Sequence, residues 1–168
     1  VKLSRNLEYI GGWAFYLCTA LTSIFIPPAC EEINQYAFSG CTKLLILGMP
    51  QNIQIGEGVF QRTKLVQKSP IEVDEYGYYD QDDEEAVIQW VRTINNDEAC
   101  ALHRACSSFN PLSEIIYTLV KRQGIKAMRM KNKIGMTPSQ YLAVNTFADI
   151  SEKEIIKRYT LDMMGEIS

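Results

Sequence analysis

One order of apolar side chains recurs every 23 residues along the first part of the chain. The pairs separated by that spacing are Ile10 and Ile33, Ala14 and Ala37, Phe15 and Phe38, Cys18 and Cys41, and Leu21 and Leu44. A third, weaker copy keeps the order at Val59 and Phe60 but lacks the cysteine. A fixed period of this length is typical of stacked repeats, because one unit cannot cover its own apolar face and neighbouring units can.

Each unit contains a short run with a period of two, which predicts a strand. Side chains alternate between the two faces of a strand, so Leu21, Ile24 and Ile26 are expected to point inward. The positions expected to face outward are Ser23, Phe25, Ile46 and Gly48. Paired Phe15 and Phe38, with their cysteines as free thiols, are expected to be buried and stacked, since recurring apolar positions form the core of such an array.

The period changes to that of helices near residue 82. Acidic residues at 82–85 precede an apolar stripe at i, i+1, i+4, i+5 and i+8, which predicts an amphipathic helix with a favourable charge in its first turn. The stripe consists of Ala86, Val87, Trp90, Val91 and Ile94. Ile115, Ile116, Leu119 and Val120 form the apolar stripe of a second helix, and a third stripe lies around Tyr141. Gly124 is expected to end the second helix and Pro138 to begin the third. A last helix is predicted after Ser151, carrying Ile155, Ile156, Tyr159 and Met163. The predicted fold class is α+β, with strand repeats at 1–70, an acidic linker at 71–81 and helices at 82–168.

Charge is segregated along the chain although the net charge is only −3. Residues 71–99 hold one basic and ten acidic side chains, whereas 100–168 hold ten basic and six acidic ones. No apolar run approaches the roughly 20 residues that span a bilayer, so no membrane partner is expected. Five cysteines, an odd number, favour a reducing compartment, either cytoplasm or nucleus. Val1 aligns with Ile24 inside a repeat, so further upstream repeats and self-association of the isolated fragment are expected.

His103 is the only histidine and therefore the only candidate for histidine-dependent chemistry. With Cys100 it could form the centre of a hydrolase or a metal-dependent enzyme. Cys100, His103 and Cys106 lie three residues apart, however, and successive steps of three drift around a helix, so the three side chains do not converge. A structural zinc site needs four ligands, and no second Cys/His pair lies nearby. No cofactor, metal or small-molecule substrate is therefore predicted.

The first repeats resemble the BspA-like class of leucine-rich repeats. The matching pattern is carried by Ile10, Ala14, Phe15, Cys18, Leu21, Ile24, Ile26 and Pro27. The second copy departs from it at Gly48 and Met49. This resemblance implies a solenoid over about residues 1–70 that binds other proteins and has no catalytic residues.

The helical part, over about residues 97–164, resembles ankyrin repeats. Gly135, Thr137 and Pro138 match the opening of that repeat, and Leu102, His103 and Ala105 match its inner helix. The first copy lacks Thr-Pro and the second lacks Leu-His, so a plain helical bundle is the alternative. The resemblance implies that His103 holds backbone by hydrogen bonds and that residues 126–133 form a hairpin used for partner contact. The pairing of repeat types resembles large leucine-rich-repeat and ankyrin proteins of eukaryotic microalgae.

These patterns predict a non-catalytic scaffold whose partner is another protein. Two contact surfaces are predicted, one on the outward strand positions and one on a basic segment. The candidate binding residues are Ser23, Phe25, Ile46, Lys126, Arg129, Lys131 and Lys133. Phe25 has an alternative role, which is to cover its neighbour in the stack. The basic segment has no interleaved aromatic for base stacking, so nucleic acid is not the expected partner.

Overall fold

The computed structural model describes residues 1–96, 101–107, 113–146 and 153–154. The chain divides into two compact units, Val1–Asn96 and Asp97–Ser168. The predicted helix after Ser151 and the candidate Cys100 lie outside the described residues.

Unit 1 begins with five short parallel strands. They are β1 (Tyr9–Ile10), β2 (Ser23–Phe25), β3 (Glu32–Ile33), β4 (Ile46–Gly48) and β5 (Gln54–Ile55). β1, β3 and β5 form one sheet, and β2 and β4 form a second. Ile10 pairs with Ile33 and Ile33 with Ile55. The pairing therefore confirms the repeat spacing found in the sequence.

The core of the array is built from the recurring positions. The rings of Phe15 and Phe38 stack with centroids 5.3 Å apart, and Phe38 and Cys41 are fully buried. The prediction is wrong for the first copy, where Phe15 is half-buried and Cys18 exposed, because a neighbouring layer covers them on one side only. Burial raises the pKa of the Cys41 thiol to about 11, so this free thiol is held in its unreactive protonated form.

The turn after the first strand of each repeat needs left-handed backbone at two positions. Trp13, Tyr36 and Gly58 occupy the first of these positions with φ of 56°, 55° and 64°. A Cβ on Gly58 would lie 2.2 Å from the Tyr36 ring. Trp13 and Tyr36 adopt this backbone with a side chain, so it is the ring of the preceding repeat, together with the strained backbone, that favours glycine at position 58.

We expect Gly58→Ala to destabilise unit 1 by at least about 1–2 kcal/mol, the cost of left-handed backbone for a residue with a Cβ. Displacement of the Tyr36 ring adds to this cost. Denaturant unfolding followed by circular dichroism measures it. Gly11→Ala is the matched control, since a Cβ there has nothing within 4 Å. Equal effects of the two substitutions would contradict this account of the turn.

Unit 1 continues through a 3₁₀ turn at Gln81–Asp83 into α1 (Glu84–Asn96). Asp80 accepts a hydrogen bond from the Asp82 N–H and so caps this region. Val87, Val91 and Ile94 are buried, as the amphipathic pattern predicts. Ala86, predicted in the same stripe, is exposed, and Ile88, outside it, is buried. The unit thus extends to Asn96, beyond the boundary near residue 70 predicted from the change of period.

Unit 2 contains α2 (Ala101–Ser107), α3 (Ser113–Gln123), a 3₁₀ turn at Ile125–Arg129 and α4 (Pro138–Val144). α2 packs against both α3 and α4. The buried side chains include Leu102, Cys106, Ile116, Val120, Tyr141 and Leu142. Ile115, predicted in the apolar stripe of α3, is exposed, because it lies about 100° around the helix from the buried Ile116.

The predicted end of α3 and the predicted start of α4 are confirmed. α3 stops before Gly124, which has φ of 79°, and the Gly124 N–H donates to the Val120 carbonyl at 2.8 Å. α4 begins with Pro138 in its first turn, and Thr137 and Gln140 form a reciprocal capping box. The sequence signals at both ends therefore act locally, as expected for caps.

Candidate functional site

The outward strand positions do not form the exposed patch that the sequence predicts. Phe25 is 2% exposed and Ile46 is 6% exposed, and Ser23 is half-buried. The prediction that Phe25 and Ile46 offer an apolar contact surface is therefore wrong. The alternative, in which the Phe25 ring covers neighbouring parts of the stack, agrees with this burial.

The physical reason lies in what covers the strand face. A period of two shows which face of a strand a side chain takes but not what packs on that face. Phe25 lies opposite Gly48 in the parallel pair, and a residue without a side chain leaves room for the ring.

The repeats are joined by a directional ladder of hydrogen bonds at the turn. The N–H groups of Trp13, Phe15 and Leu17 donate to the carbonyls of Gln35, Ala37 and Ser39, at 3.1, 2.8 and 2.9 Å. Those of Tyr36, Phe38 and Gly40 donate to Glu57, Val59 and Gln61, at 2.8, 3.2 and 2.9 Å. Each repeat therefore offers donors to the repeat that follows and acceptors to the repeat that precedes.

The three donors of the third repeat, which we call the closed edge, are Gly58, Phe60 and Arg62. The Gly58 N–H donates to Glu84 Oε2 at 3.1 Å, and the Arg62 N–H donates to the Gly77 carbonyl at 2.9 Å. Residues 77–84 thus occupy the place that a fourth repeat would take.

A second set of contacts fixes this cap. Gln61 Nε2 donates to the Tyr79 carbonyl at 3.1 Å, and the Tyr79 N–H donates back to Gln61 Oε1 at 3.0 Å. The Tyr79 hydroxyl donates to Glu84 Oε1 at 3.0 Å. The Arg62 guanidinium lies 5.4 Å from the centroid of the Tyr78 ring. Residues 71–81 are therefore not the linker that their acidic, tyrosine-rich composition predicts.

Glu84 is the acidic residue of the cap whose pKa is shifted. Burial raises the pKa of Glu84, and the Glu57 carboxylate adds to the rise, while hydrogen bonds from Gly58 and Tyr79 oppose it. Burial also raises the pKa of Tyr79 strongly, so its hydroxyl stays protonated and keeps donating. The sequence offers a signal for the cap. Tyr79 and Glu84 lie in the segment after the third repeat, and the N–H groups of that repeat need acceptors.

We expect Glu84 to make the stability of unit 1 depend on pH. Because its folded-state pKa is raised above the unfolded value of 4.5, its contribution is fully present below that value and is lost as the pH rises through the folded-state pKa. Glu84→Gln keeps an acceptor for the Gly58 N–H and removes the titrating group. The difference in free energy of unfolding between this variant and the parent chain should therefore change as the pH rises from the unfolded value through the folded-state pKa. Urea unfolding from pH 4 to pH 7 measures it, with the exposed Glu85→Gln as control. A pH-independent difference would contradict the assignment.

The opposite edge of the array, which we call the open edge, consists of the carbonyls of Gly12, Ala14 and Tyr16 with the side chains of Trp13 and Leu17. These carbonyls are equivalent to Gln35, Ala37 and Ser39 one repeat later, yet none of the three accepts a hydrogen bond from another residue in the described part of the chain. Trp13 is 51% exposed and Leu17 is 47% exposed. The open edge therefore combines unfilled acceptors with exposed apolar side chains.

The predicted basic surface lies in unit 2. Lys126, Arg129, Lys131 and Lys133 are all exposed. A tight turn shapes the second half of this segment: Asn132 Oδ1 accepts from the N–H groups of Ile134 and Met136 at 3.2 and 3.0 Å. Lys131 and Lys133 flank Asn132 and are displayed to solvent. We call residues 126–133 the basic turn.

His103 lies in the core of unit 2 and not in a cleft. It is 5% exposed, its ring meets Tyr141 edge-on at 5.8 Å, and Nε2 lies 2.8 Å from the Met136 carbonyl. Because a carbonyl only accepts, Nε2 carries the hydrogen of this bond. The histidine therefore joins α2 to the loop that precedes α4, and this hydrogen bond helps to fix the conformation of that loop.

Among the residues that the structure describes, no group of three or more histidine, cysteine or acidic side chains is placed to hold a metal ion. Within the same residues, no helix has the length and apolar character needed to cross a membrane.

Comparison with known families identifies the first part of the chain. Residues 1–77 match the family described as "BspA type Leucine rich repeat region (6 copies)". The chain therefore carries a leucine-rich repeat region of the BspA type, which ends within the segment that closes the array. Comparisons with curated proteins and with solved structures gave no match.

Proposed function

We propose that this protein is a non-catalytic scaffold that binds another protein, with a leucine-rich-repeat solenoid in unit 1 and an ankyrin-like helical unit in unit 2. The observation that carries the proposal is the leucine-rich repeat region at residues 1–77, together with its parallel strand register. Repeat regions of this kind commonly mediate protein–protein interaction, because stacked units present long continuous surfaces. An intracellular location belongs to the same proposal.

The ankyrin-like part of the proposal rests on two contacts in unit 2. Thr137, Gln140 and Pro138 form a capped helix start, and His103 reaches from α2 to the Met136 carbonyl just before it. A hydrogen bond thus joins the two motifs that resemble ankyrin repeats. This arrangement supports consecutive copies of one repeat more than an unrelated helical bundle.

The proposed partner contact in unit 2 is the basic turn, which suits a protein with an acidic surface. Exposed charges at the rim of an interface act mainly through the rate of association, which falls as salt screens them. We expect the double change Lys131→Glu and Lys133→Glu to slow association and flatten its salt dependence. The double change Lys64→Glu and Lys68→Glu, on exposed lysines of unit 1, is the matched control.

The experiment begins with capture of partners by the 168-residue chain and mass spectrometry, followed by rebinding of each purified candidate. Surface plasmon resonance over a series of salt concentrations then compares the parent chain with both double variants. A purified candidate that rebinds and responds only to the change in the basic turn supports the proposal. If no purified candidate rebinds, the scaffold function is contradicted; if the unit 1 control responds instead, the assignment of the basic turn is contradicted.

A further inference from the structure

Opposite charges are concentrated on two exposed surfaces, one in each unit. In unit 1 the acidic segment, which we define as residues 72–85, contains no basic residue. In unit 2 the basic turn lies in a stretch that has no acidic residue between Glu114 and Asp149. The exposed acidic side chains of the acidic segment are Glu72, Asp74, Glu75, Asp80, Asp82 and Glu85. The two surfaces are therefore complementary in charge.

Each surface also carries an exposed apolar side chain among its charges. Tyr76, next to Glu75, is 65% exposed, and Met130, between Arg129 and Lys131, is 58% exposed. A methionine sulfur and an aromatic ring attract each other when they come into contact. The acidic segment and the basic turn therefore match in an apolar contact as well as in charge.

Hydrogen bonds hold both surfaces in a fixed shape. Asp74 Oδ1 accepts from the N–H groups of Tyr76 and Tyr78, each at 2.9 Å, and the Asp74 N–H donates to the Tyr78 carbonyl at 2.8 Å. In the basic turn, the Asn132 N–H donates to the Met136 carbonyl at 2.9 Å, in addition to the two bonds that its side chain accepts. Because neither surface has to become ordered on binding, the free-energy cost of association is reduced.

The proposed function requires a protein with an acidic surface at the basic turn, and this chain itself supplies such a surface. Single exposed ion pairs contribute little and are screened by salt, so the contact gains its strength from several pairs together. Association through these surfaces is therefore expected at high protein concentration and is expected to disappear as salt is added.

We propose that the basic turn of one copy of this chain binds the acidic segment of a second copy, with Met130 against the Tyr76 ring. This inference deepens the proposed function, on which it rests, by naming a second copy of the chain as a partner of the basic turn.

The test is sedimentation velocity of the 168-residue chain over a range of protein concentrations, at about 20 mM and about 500 mM salt. We expect concentration-dependent association at the lower salt concentration and a monomer at the higher one. Lys131→Glu with Lys133→Glu reverses two charges of the basic turn, and Glu72→Lys with Glu75→Lys reverses two charges of the acidic segment while leaving Asp74 in place. Each pair of changes should weaken association roughly tenfold or more.

Mixing the two reversed chains tests whether the contact joins different copies. In the mixture each remaining surface meets its natural counterpart, and the two reversed surfaces again have opposite signs, so the mixture should associate although neither variant does so alone. The matched controls are Lys64→Glu with Lys68→Glu and Glu8→Lys with Glu31→Lys, all on exposed side chains of unit 1, and they should change association little. Met130→Ser should weaken it about twofold to tenfold without changing its dependence on salt.

A chain that remains monomeric at the lower salt concentration would overturn the proposal. So would association that survives both salt and the two reversals, because another surface would then carry it, and so would association that is lost in both variants but not regained in their mixture. Dependence on the basic turn alone would place its acidic counterpart elsewhere, which also overturns the proposal. In each case the scaffold function is still decided by rebinding of a different purified protein, so failure of the one is distinct from failure of the other.

Discussion

Replacing Phe38 by alanine is expected to destabilise unit 1 by about 3–5 kcal/mol, as truncation of a large buried aromatic side chain does. Phe38 is fully buried, and its ring stacks on Phe15 at 5.3 Å. The ring occupies the middle layer of three equivalent positions, between Phe15 and Phe60. Removing it therefore leaves a cavity with repeats on both sides, which cannot close without moving the backbone ladder.

Two further substitutions make this prediction specific. Phe15→Ala should cost less, because Phe15 is only half-buried. Tyr9→Ala, at a residue that is 62% exposed, should cost little. Denaturant unfolding measured by circular dichroism gives the three free energies of unfolding. If Phe38→Ala shifts the midpoint no more than Tyr9→Ala, the stacked core is not what stabilises the array.

The order of these effects was accessible from the sequence because the core positions repeat. Ile10, Ile33 and Ile55 share one register, and a recurring identity at a fixed spacing specifies such a register without knowledge of the rest of the fold. Local signals were equally accessible: Gly124 and Pro138 act through their own backbone at the ends of α3 and α4. Both kinds of signal lie within short segments of the sequence, so they can be recognised without knowing the rest of the fold.

The burial of Phe25 and the role of Tyr79 depend on contacts between distant segments. Alternation along β2 places Phe25 on one face, but its 2% exposure depends on what else belongs to unit 1. Tyr79 lies in an acidic stretch whose composition predicts a linker, yet it hydrogen-bonds Gln61 and Glu84. Predicting that cap requires a count of the N–H groups that the last repeat leaves unpaired, which composition does not contain.

The polarity of the open edge has the same origin. The sequence indicates that Trp13 occupies a turn, but not which backbone groups face the neighbouring repeat. That assignment follows from the bonds between Trp13 and Gln35 and between Phe15 and Ala37. An acceptor-only edge then follows from directional bonding and from the bonds that residues 77–84 make at the closed edge.

The last prediction concerns His103, which the sequence alone leaves open to a structural or a catalytic role. His103→Ala is expected to destabilise unit 2 by about 1–3 kcal/mol through the Met136 carbonyl left without its donor, and lost packing against Tyr141 adds to this. The bond measures 2.8 Å and joins α2 to the loop before α4, so its loss should also loosen that loop. Hydrogen exchange of the amides at 132–142 measures this effect beside the free energy of unfolding.

His103→Gln separates the hydrogen bond from the chemistry of the ring. A glutamine amide can donate to the Met136 carbonyl from a position near that of Nε2, but it can neither act as a base near neutral pH nor serve as a nucleophile. We therefore expect His103→Gln to recover part of the stability that His103→Ala loses, while partner binding through the basic turn is kept. Lys121→Ala, on the exposed side of α3, is the control and shows how much a surface substitution changes the free energy of unfolding. If His103→Ala is as stable as Lys121→Ala, the structural role of His103 is contradicted. The hypothesis of a hydrolase or metal-dependent enzyme centred on His103 and Cys100 would then be favoured.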